Sequence, residues 1–322
     1  MVVKRATVIL VGSGTAGKTT LVHRLREKCF SEDGLTMTDG VDMSHLFLEG
    51  IDFTVTDFAG QKEYFHTHSI FFKTDALYLV VYMPRTGNSF QELESFLQMV
   101  QDAAPGAPVL LVTTRCDEAT LSKADEAGLR SRHPSIIAVT PIDSKSGSGI
   151  KEFQETLVRI AMAQTATVRK VPALFFRLEQ RLCDLGRDTF SLTAEEYSEI
   201  AEEEFGLDSG AAALARDLFH LWGAVHVLRN GEVVLQPQQL ADVLACVITK
   251  NSDTLTRIGD AREGLLKHDD SSLEAIWGKY PRHLWTCQGA RKEDGDRDGD
   301  GDEGSSSFID LLHQSGGVTC HG

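Results

Sequence analysis

No two cysteines stand in C-x-x-C spacing. The six that occur, Cys29, Cys116, Cys183, Cys246, Cys287 and Cys320, are scattered over 322 residues. That usage excludes a dense disulfide framework and fits reduced thiols in a cytoplasmic protein. No apolar run is long enough to cross a bilayer as a helix, and no secretory leader opens the chain, so an integral membrane protein is not expected. Val2 stands where myristoylation needs Gly, and Val318-Thr-Cys-His-Gly is no prenylation box. Basic charge is scarce: 32 Lys and Arg face 47 Asp and Glu, a net charge of −15. Nucleic acid and anionic membranes are therefore poor partners. A kinase domain is not expected either. There is no His-Arg-Asp and no Asp-Phe-Gly, and Asp57-Phe58-Ala59 is not the latter.

What the chain does have is 42% hydrophobic residues, enough for two domains of ordinary size. Near its start lies Gly12-x-x-x-x-Gly17-Lys18-Thr19, after the aliphatic run Val8–Val11 and before the amphipathic run Leu21, Val22, Leu25. Strand, glycine loop and helix make a phosphate loop. Glycines let backbone N–H groups curl around an anion, and the new helix points its positive end at it. Gly12, Ser13, Gly14, Thr15, Ala16, Gly17, Lys18, Thr19 and Thr20 form the expected cradle. Lys18 supplies a point charge for the β- and γ-phosphates, and the Thr19 hydroxyl is placed to ligate Mg²⁺. By chance the pattern arises in roughly one chain in a hundred of this size.

Further along, His45–Leu48 and Phe53–Thr56 read as a hairpin about Glu49-Gly50. The second strand ends in Asp57-Phe58-Ala59-Gly60-Gln61. Asp57 can hold the Mg²⁺ shell through water, the Gly60 N–H can face a γ-phosphate, and Gln61 can orient an attacking water. Ala76–Tyr82 and Val109–Thr113 read as buried parallel strands, with a helix over Asn88–Val100 between them. The latter strand ends in Thr114-Arg115-Cys116-Asp117, where guanine-nucleotide proteins carry Asn-Lys-x-Asp. Asp117 suits the guanine N1–H and 2-amino group, and the Arg115 stem can lie along base or ribose. Ile136–Val139 is the last strand, Ser144 and Lys145 lie in the loop after it, and Gly149–Ala163 is the closing helix. All these segments fall at carboxyl ends of strands, where open α/β sheets bind ligands.

Asp57-Phe-Ala-Gly-Gln-Lys-Glu-Tyr-Phe-His-Thr-His and Ala76-Leu-Tyr-Leu-Val-Val-Tyr resemble the Ras-of-complex (Roc) GTPase domain of Roco proteins. Thr38-Asp-Gly-Val resembles that family's first switch, which implies Thr38 as the γ-phosphate-sensing Mg²⁺ ligand. Thr114-Arg-Cys-Asp is similar to the family's Thr-His-x-Asp variant. Phe175-Phe-Arg-Leu-Glu-Gln, Val233-Val-Leu-Gln-Pro-Gln-Gln-Leu-Ala-Asp-Val-Leu, Glu263-Gly-Leu-Leu and Ile276-Trp-Gly-Lys-Tyr resemble the COR region that follows Roc. The implied organisation is Roc over residues 1–164, a linker over 165–171, a partial COR domain over 172–286 and an acidic, disordered tail over 287–322. The implied fold is a small-GTPase-like α/β sheet with helices on both faces, then a mainly helical, winged-helix-like COR segment. The implied cofactors are GTP or GDP and Mg²⁺, with Gln61, Lys18 and Thr38 as catalytic residues. Protein effectors or regulators are expected, and a homodimer through COR, weakened because the likeness stops near residue 284. A nucleotide-holding scaffold, or a fragment of a larger Roco protein, is the alternative.

The second half reads as helices over Ala173–Leu185, Ala194–Phe205 and Gly210–Leu221. A hairpin over Val225–Leu228 and Glu232–Leu235 turns at Asn230-Gly231, and a helix opens at Pro237. Winged helices often bind DNA. This hairpin and final helix carry mainly Arg229 and Lys250, so a protein-interaction module is the better reading. Asp294-Gly-Asp-Arg-Asp-Gly-Asp-Gly-Asp resembles the start of an EF-hand loop. Its twelfth position is Ser305 rather than Glu, so a solvated acidic stretch is expected instead. His66 and His68 lack a partner in metal-ligand spacing and read as ordinary residues.

Overall fold

The computed structural model describes residues 1–27, 38, 40–60, 69–84, 90–164, 167–247, 274 and 277. A seven-stranded sheet forms its centre. Strands β1 (Val2–Val11), β2 (Val41–Leu48), β3 (Ile51–Phe58), β4 (Leu77–Tyr82), β5 (Val109–Thr113) and β6 (Ile136–Pro141) lie in the order β2-β3-β1-β4-β5-β6. All neighbours in this row are parallel except the β2–β3 hairpin. Every residue of β4 and β5 is buried, as continuous aliphatic runs covered on both faces require.

Alternation along β1 sends Val8 and Leu10 to one face and Ile9 and Val11 to the other. On the first face pack α1 (Lys18–Glu27), through Leu21 and Leu25, and α4 (Ile150–Ala163), through Phe153 and Leu157. On the second pack α2 (Phe90–Ala103), through Phe96 and Leu97, and α3 (Lys123–Arg132), through Leu129. Sequence periodicity does not predict α3, because Leu129 is its one buried residue. Its start is marked instead by Ser122, whose hydroxyl accepts from the Asp125 N–H.

A linker is predicted over 165–171, yet Val168–Lys170 there is a strand, β7, pairing antiparallel with Val2–Lys4. It lengthens β1 beyond its predicted start at Thr7. The second half follows as α5 (Ala173–Leu185), β8 (Ser191–Leu192), α6 (Ala194–Glu199), α7 (Ser209–Trp222), β9 (His226–Val227), β10 (Val233–Val234) and α8 (Pro237–Val247). The helix predicted to run to Phe205 leaves α geometry at Ile200 and finishes as a π turn over Ile200–Glu204. Its start carries the predicted capping box between Thr193 and Glu196. The hairpin strands are two residues each, and β8 joins β10 to make a three-stranded sheet.

The two halves share a core. Leu240, Val243 and Leu244 of α8 pack with Val41, Phe58 and Phe71, and the buried Trp277 indole donates to the Val243 carbonyl. Side chains of the first half also satisfy the end of α7. Thr7 donates to the Leu221 carbonyl at 2.6 Å, Thr54 donates to the Trp222 carbonyl at 2.6 Å, and the Lys73 ammonium donates to the His220 carbonyl. Gln238 reaches the outer edge of β2, accepting from the Met43 N–H at 2.7 Å and donating to the Val41 carbonyl at 2.9 Å.

Candidate functional site: a glycine-rich loop beside a polar cavity

The loop between β1 and α1 is shaped by close backbone approach. At Gly12 the backbone has φ +146°, and a Cβ there would stand 2.2 Å from the Val81 carbonyl oxygen. Gly14 donates its N–H to the Gly60 carbonyl at 3.1 Å, and a Cβ on Gly60 would meet that same nitrogen at 2.2 Å. Glycine at position 60 lets the two segments touch. Gly17 has φ +94°, and Thr15 takes a left-handed φ of 66° without being glycine. The Ala16 N–H donates to the Ser13 carbonyl.

Lys18 opens α1 and is buried. Its ammonium donates to the Gly12 carbonyl at 2.8 Å and the Ser13 carbonyl at 2.9 Å. Burial lowers its pKa to about 8, while Asp57 and Glu92 act to keep it charged. Thr20 lies one residue beyond Thr19 and lines the cavity described below.

Beside the lysine three oxygens converge. Thr19 donates to Asp57 Oδ2 at 2.6 Å, Thr38 donates to the same oxygen at 3.2 Å, and the two hydroxyls lie 2.7 Å apart. Two hydroxyl protons cannot satisfy all three contacts. Asp57 is 1% exposed, and its other oxygen, Oδ1, has no hydrogen-bond partner. Burial raises its pKa first of all, against the Thr19 hydrogen bond and the Lys18 charge. A hard divalent cation with oxygen ligands matches this donor set and would take up the unsatisfied carboxylate oxygen. The residues present therefore fit Mg²⁺.

The loops after β5 and β6 stand beside the glycine loop. Thr114, at the expected Asn position, is buried, and its hydroxyl donates to the Ala16 carbonyl at 2.7 Å. This ties the loop after β5 to the loop after β1. Arg115 adopts φ 52° and pairs with Glu118 at 3.3 Å. The Cys116 N–H donates to the Ile142 carbonyl, joining the two loops. A cavity of about 300 Å³ opens between Gly17, Thr20, Arg115, Asp117, Ser144 and Lys145.

Asp143 is a site residue that spacing alone did not single out. It is buried, and its carboxylate accepts from the Lys145 N–H at 3.1 Å and the Ser146 N–H at 2.8 Å. Those bonds fix the turn that presents Ser144 and Lys145. Hydrogen bonding with Ser146 and Lys145 holds its carboxyl below the usual range although desolvation opposes this. An Asp heading a polar loop is the signal that could have marked it.

The fold thus brings Gly12 to Thr20, Thr38, Asp57, Gly60, Thr114, Arg115, Asp117, Ser144 and Lys145 together near the carboxyl ends of β1, β3, β5 and β6. Gln61, His66, His68 and the acidic run after residue 290 lie outside the described residues. Among the described residues no group of three or more His, Cys, Asp or Glu could hold a metal, and no helix is long and apolar enough to cross a membrane.

The model of the family described as "Ras of Complex, Roc, domain of DAPkinase" matches residues 7–117. Residues 7–117 are a Roc domain. The likeness to Roco proteins continues beyond the Roc domain. The probable serine/threonine-protein kinase pats1 of Dictyostelium discoideum is 25% identical over 316 residues, covering 86% of this chain and 10% of the relative. Leucine-rich repeat serine/threonine-protein kinase 1 of Caenorhabditis elegans is 26% identical over 253 residues, covering 64% of this chain and 10% of the relative. The chain thus spans about a tenth of the length of these relatives. Among solved structures, the GDP-bound RocCORdC structure of Methanosarcina barkeri Roco2 matches with a TM-score of 0.68 over 80% of each chain, at 23% identity. The Roc domain and the half after it therefore share the fold of that structure.

Proposed function

We propose that the chain is a guanine-nucleotide switch that hydrolyses GTP to GDP and phosphate and signals through its second half to protein effectors or regulators. The observation that carries this reading is the Thr19–Thr38–Asp57 oxygen triad beside a glycine loop whose residues Thr15 to Gly17 and Thr20 also line the cavity of Asp117. In this reading Gly12 to Thr20 bind phosphate through backbone N–H groups, and Lys18 faces the β- and γ-phosphates. Asp117, Arg115, Thr114, Ser144 and Lys145 hold and select the base. Asp117 accepts from the guanine N1–H and 2-amino group, and adenine offers no such pair. The Gly60 N–H faces the γ-phosphate. Gln61, assigned on its place in the sequence, orients the attacking water. Mg²⁺, held by the Thr19 and Thr38 hydroxyls with Asp57 behind them through water, would supply positive charge against the phosphate oxygens.

The proposed domain division is Roc over 1–164, a junction over 165–171, a partial COR domain over 172–286 and an acidic tail over 287–322, in a cytoplasmic protein. The chain's small share of its relatives fits a segment of a larger Roco protein.

The test is titration with fluorescent GDP, GTP and ATP analogues in Mg²⁺, followed by single-turnover phosphate release. Selective guanine binding is expected, with release lost in Lys18→Ala and slowed in Gln61→Leu while binding remains. Binding of ATP alone would overturn the role of Asp117. Guanine binding without release would leave a nucleotide-holding scaffold.

A further inference from the structure

Residues 143–148 bring Ser144 and Lys145 to the cavity of Asp117 and form a turn bonded to itself. The Asp143 carboxylate accepts from the Lys145 and Ser146 N–H groups, and its carbonyl accepts from the Gly147 N–H at 2.8 Å. The Ser148 carbonyl accepts from the Asp143 N–H at 2.9 Å, which closes the turn into one piece. The turn joins the sheet through a narrow neck. Gly149 has φ +73°, and a Cβ there would stand 2.1 Å from the Pro141 carbonyl oxygen. At the same neck the Cys116 N–H holds the Ile142 carbonyl at 3.1 Å, and the Gly147 carbonyl accepts from the Ile150 N–H at 3.3 Å, where α4 begins.

The tip of the turn is met from outside by α1. Gly147 has φ +84°, and a Cβ on it would stand 2.5 Å from Arg24 Nη2 and 3.6 Å from Arg24 Cζ. Arg24 is half-buried, and its guanidinium therefore lies against the bare face of this glycine. A side chain at position 147 would have to push the guanidinium away. Arg24 stands four residues after Thr20, so the two share one face of α1. Thr20 lines the cavity, while Arg24 does not and touches the turn that carries Ser144 and Lys145.

We propose that Arg24 is a positioning residue for the nucleotide: by bracing Gly147 it keeps Ser144 and Lys145 against the base and slows release. The inference rests on the reading of this site as a guanine-nucleotide pocket. One helix then holds both ends of the ligand, Lys18 at its start by charge and Arg24 in its last turn through the loop. Because Arg24 stands outside the cavity, it acts on how long the nucleotide stays rather than on which base is chosen.

The experiment loads the full chain with fluorescent GDP in Mg²⁺ and chases it with unlabelled GDP by stopped flow. Arg24→Ala is expected to raise the dissociation rate about tenfold, with the association rate within roughly threefold of the unaltered chain. Arg24→Met keeps the stem without the guanidinium and should raise the dissociation rate as well; this variant decides if truncation to Ala unfolds the protein. Gly147→Ala displaces the guanidinium and should speed release by itself. Added to Arg24→Ala, it should speed release by a factor roughly threefold smaller than it does alone, since the contact it breaks is already gone. An arginine that only stabilised its own helix would give effects that multiply. Equal dissociation rates in the unaltered chain and the Arg24 variants, or effects of Arg24→Ala and Gly147→Ala that multiply in full, would overturn this inference alone. No binding of fluorescent GDP by the unaltered chain would overturn the nucleotide reading and the inference with it.

Discussion

At Gly12 an added methyl group would have to occupy the place of the Val81 carbonyl oxygen, which is backbone and cannot rotate away. The left-handed φ adds strain of its own. Gly12→Ala is therefore expected to lower the unfolding free energy by about 2–4 kcal/mol, read as a fall in urea midpoint. Buried histidines give a second effect at the scale of residues. His220 Nδ1 accepts from the Val227 N–H, and burial, with Lys73 and Arg216 nearby, lowers its pKa to about 3. The unfolded chain takes up that proton at pH 6.5, while the native state resists it to about pH 3. Stability must fall as pH drops through this window. Buried His226, in ring contact with His220 and lowered chiefly by desolvation, adds to the same slope. Urea midpoints at pH 7 and pH 5 should differ clearly, and His220→Asn should narrow the gap. Burial also lowers the Lys73 pKa to about 8, from the ordinary 10.5. The unfolded chain keeps that proton to higher pH, so this lysine makes stability rise between pH 8 and 10.5. Lys73→Met should remove the rise. At this scale the phosphate loop was legible because glycine spacing is a covalent pattern. The Asp143 turn and the Lys73–His220–His226 cluster were not, because their meaning depends on what folds over them.

Helix α7 shows how one element is held by another. Its last carbonyls have no partner within the helix. Thr7, Thr54 and Lys73 meet three of them from the sheet side. Thr54→Val keeps the shape of the side chain and the β-branch but leaves the Trp222 carbonyl unpaired. A loss of about 1–3 kcal/mol is expected, measured by equilibrium unfolding. Strands β4 and β5 were legible because buried parallel strands are written as unbroken aliphatic runs. Strand β7 was not: Val168 and Lys170 are exposed and Arg169 half-buried, so it carries no apolar alternation. Its pairing comes from its partner Val2–Lys4 rather than from its own composition. The helix over residues 173–185 was legible by its leucine spacing, whereas the π turn at Ile200 follows a sequence that reads as ordinary helix.

For the whole molecule, α8 shares a core with Val41, Phe58 and Phe71, so the two halves are expected to unfold as one cooperative body. Thermal unfolding should give coincident transitions by far-UV circular dichroism and by tryptophan fluorescence, Trp222 lying on the seam. Two separate transitions would show that the halves unfold alone. That α8 of the second half would lie so close to the sheet that a Cβ on Gly40 would meet that of Ala245 at 2.6 Å was not legible in the sequence. The Gln238 side chain has a consequence of a colloidal kind. Among the described residues strand β2 ends the sheet, and backbone groups along an unpaired side are a template on which a strand of another molecule could polymerise. By engaging the Val41 carbonyl and the Met43 N–H, one glutamine withdraws the start of that template. At the far end Phe47 is exposed, and among the described residues no strand but β3 pairs with it. Crowded solutions of this protein would then be expected to associate from the β2–β3 turn inward, with Gln238 marking where the growth of such a stack must stop.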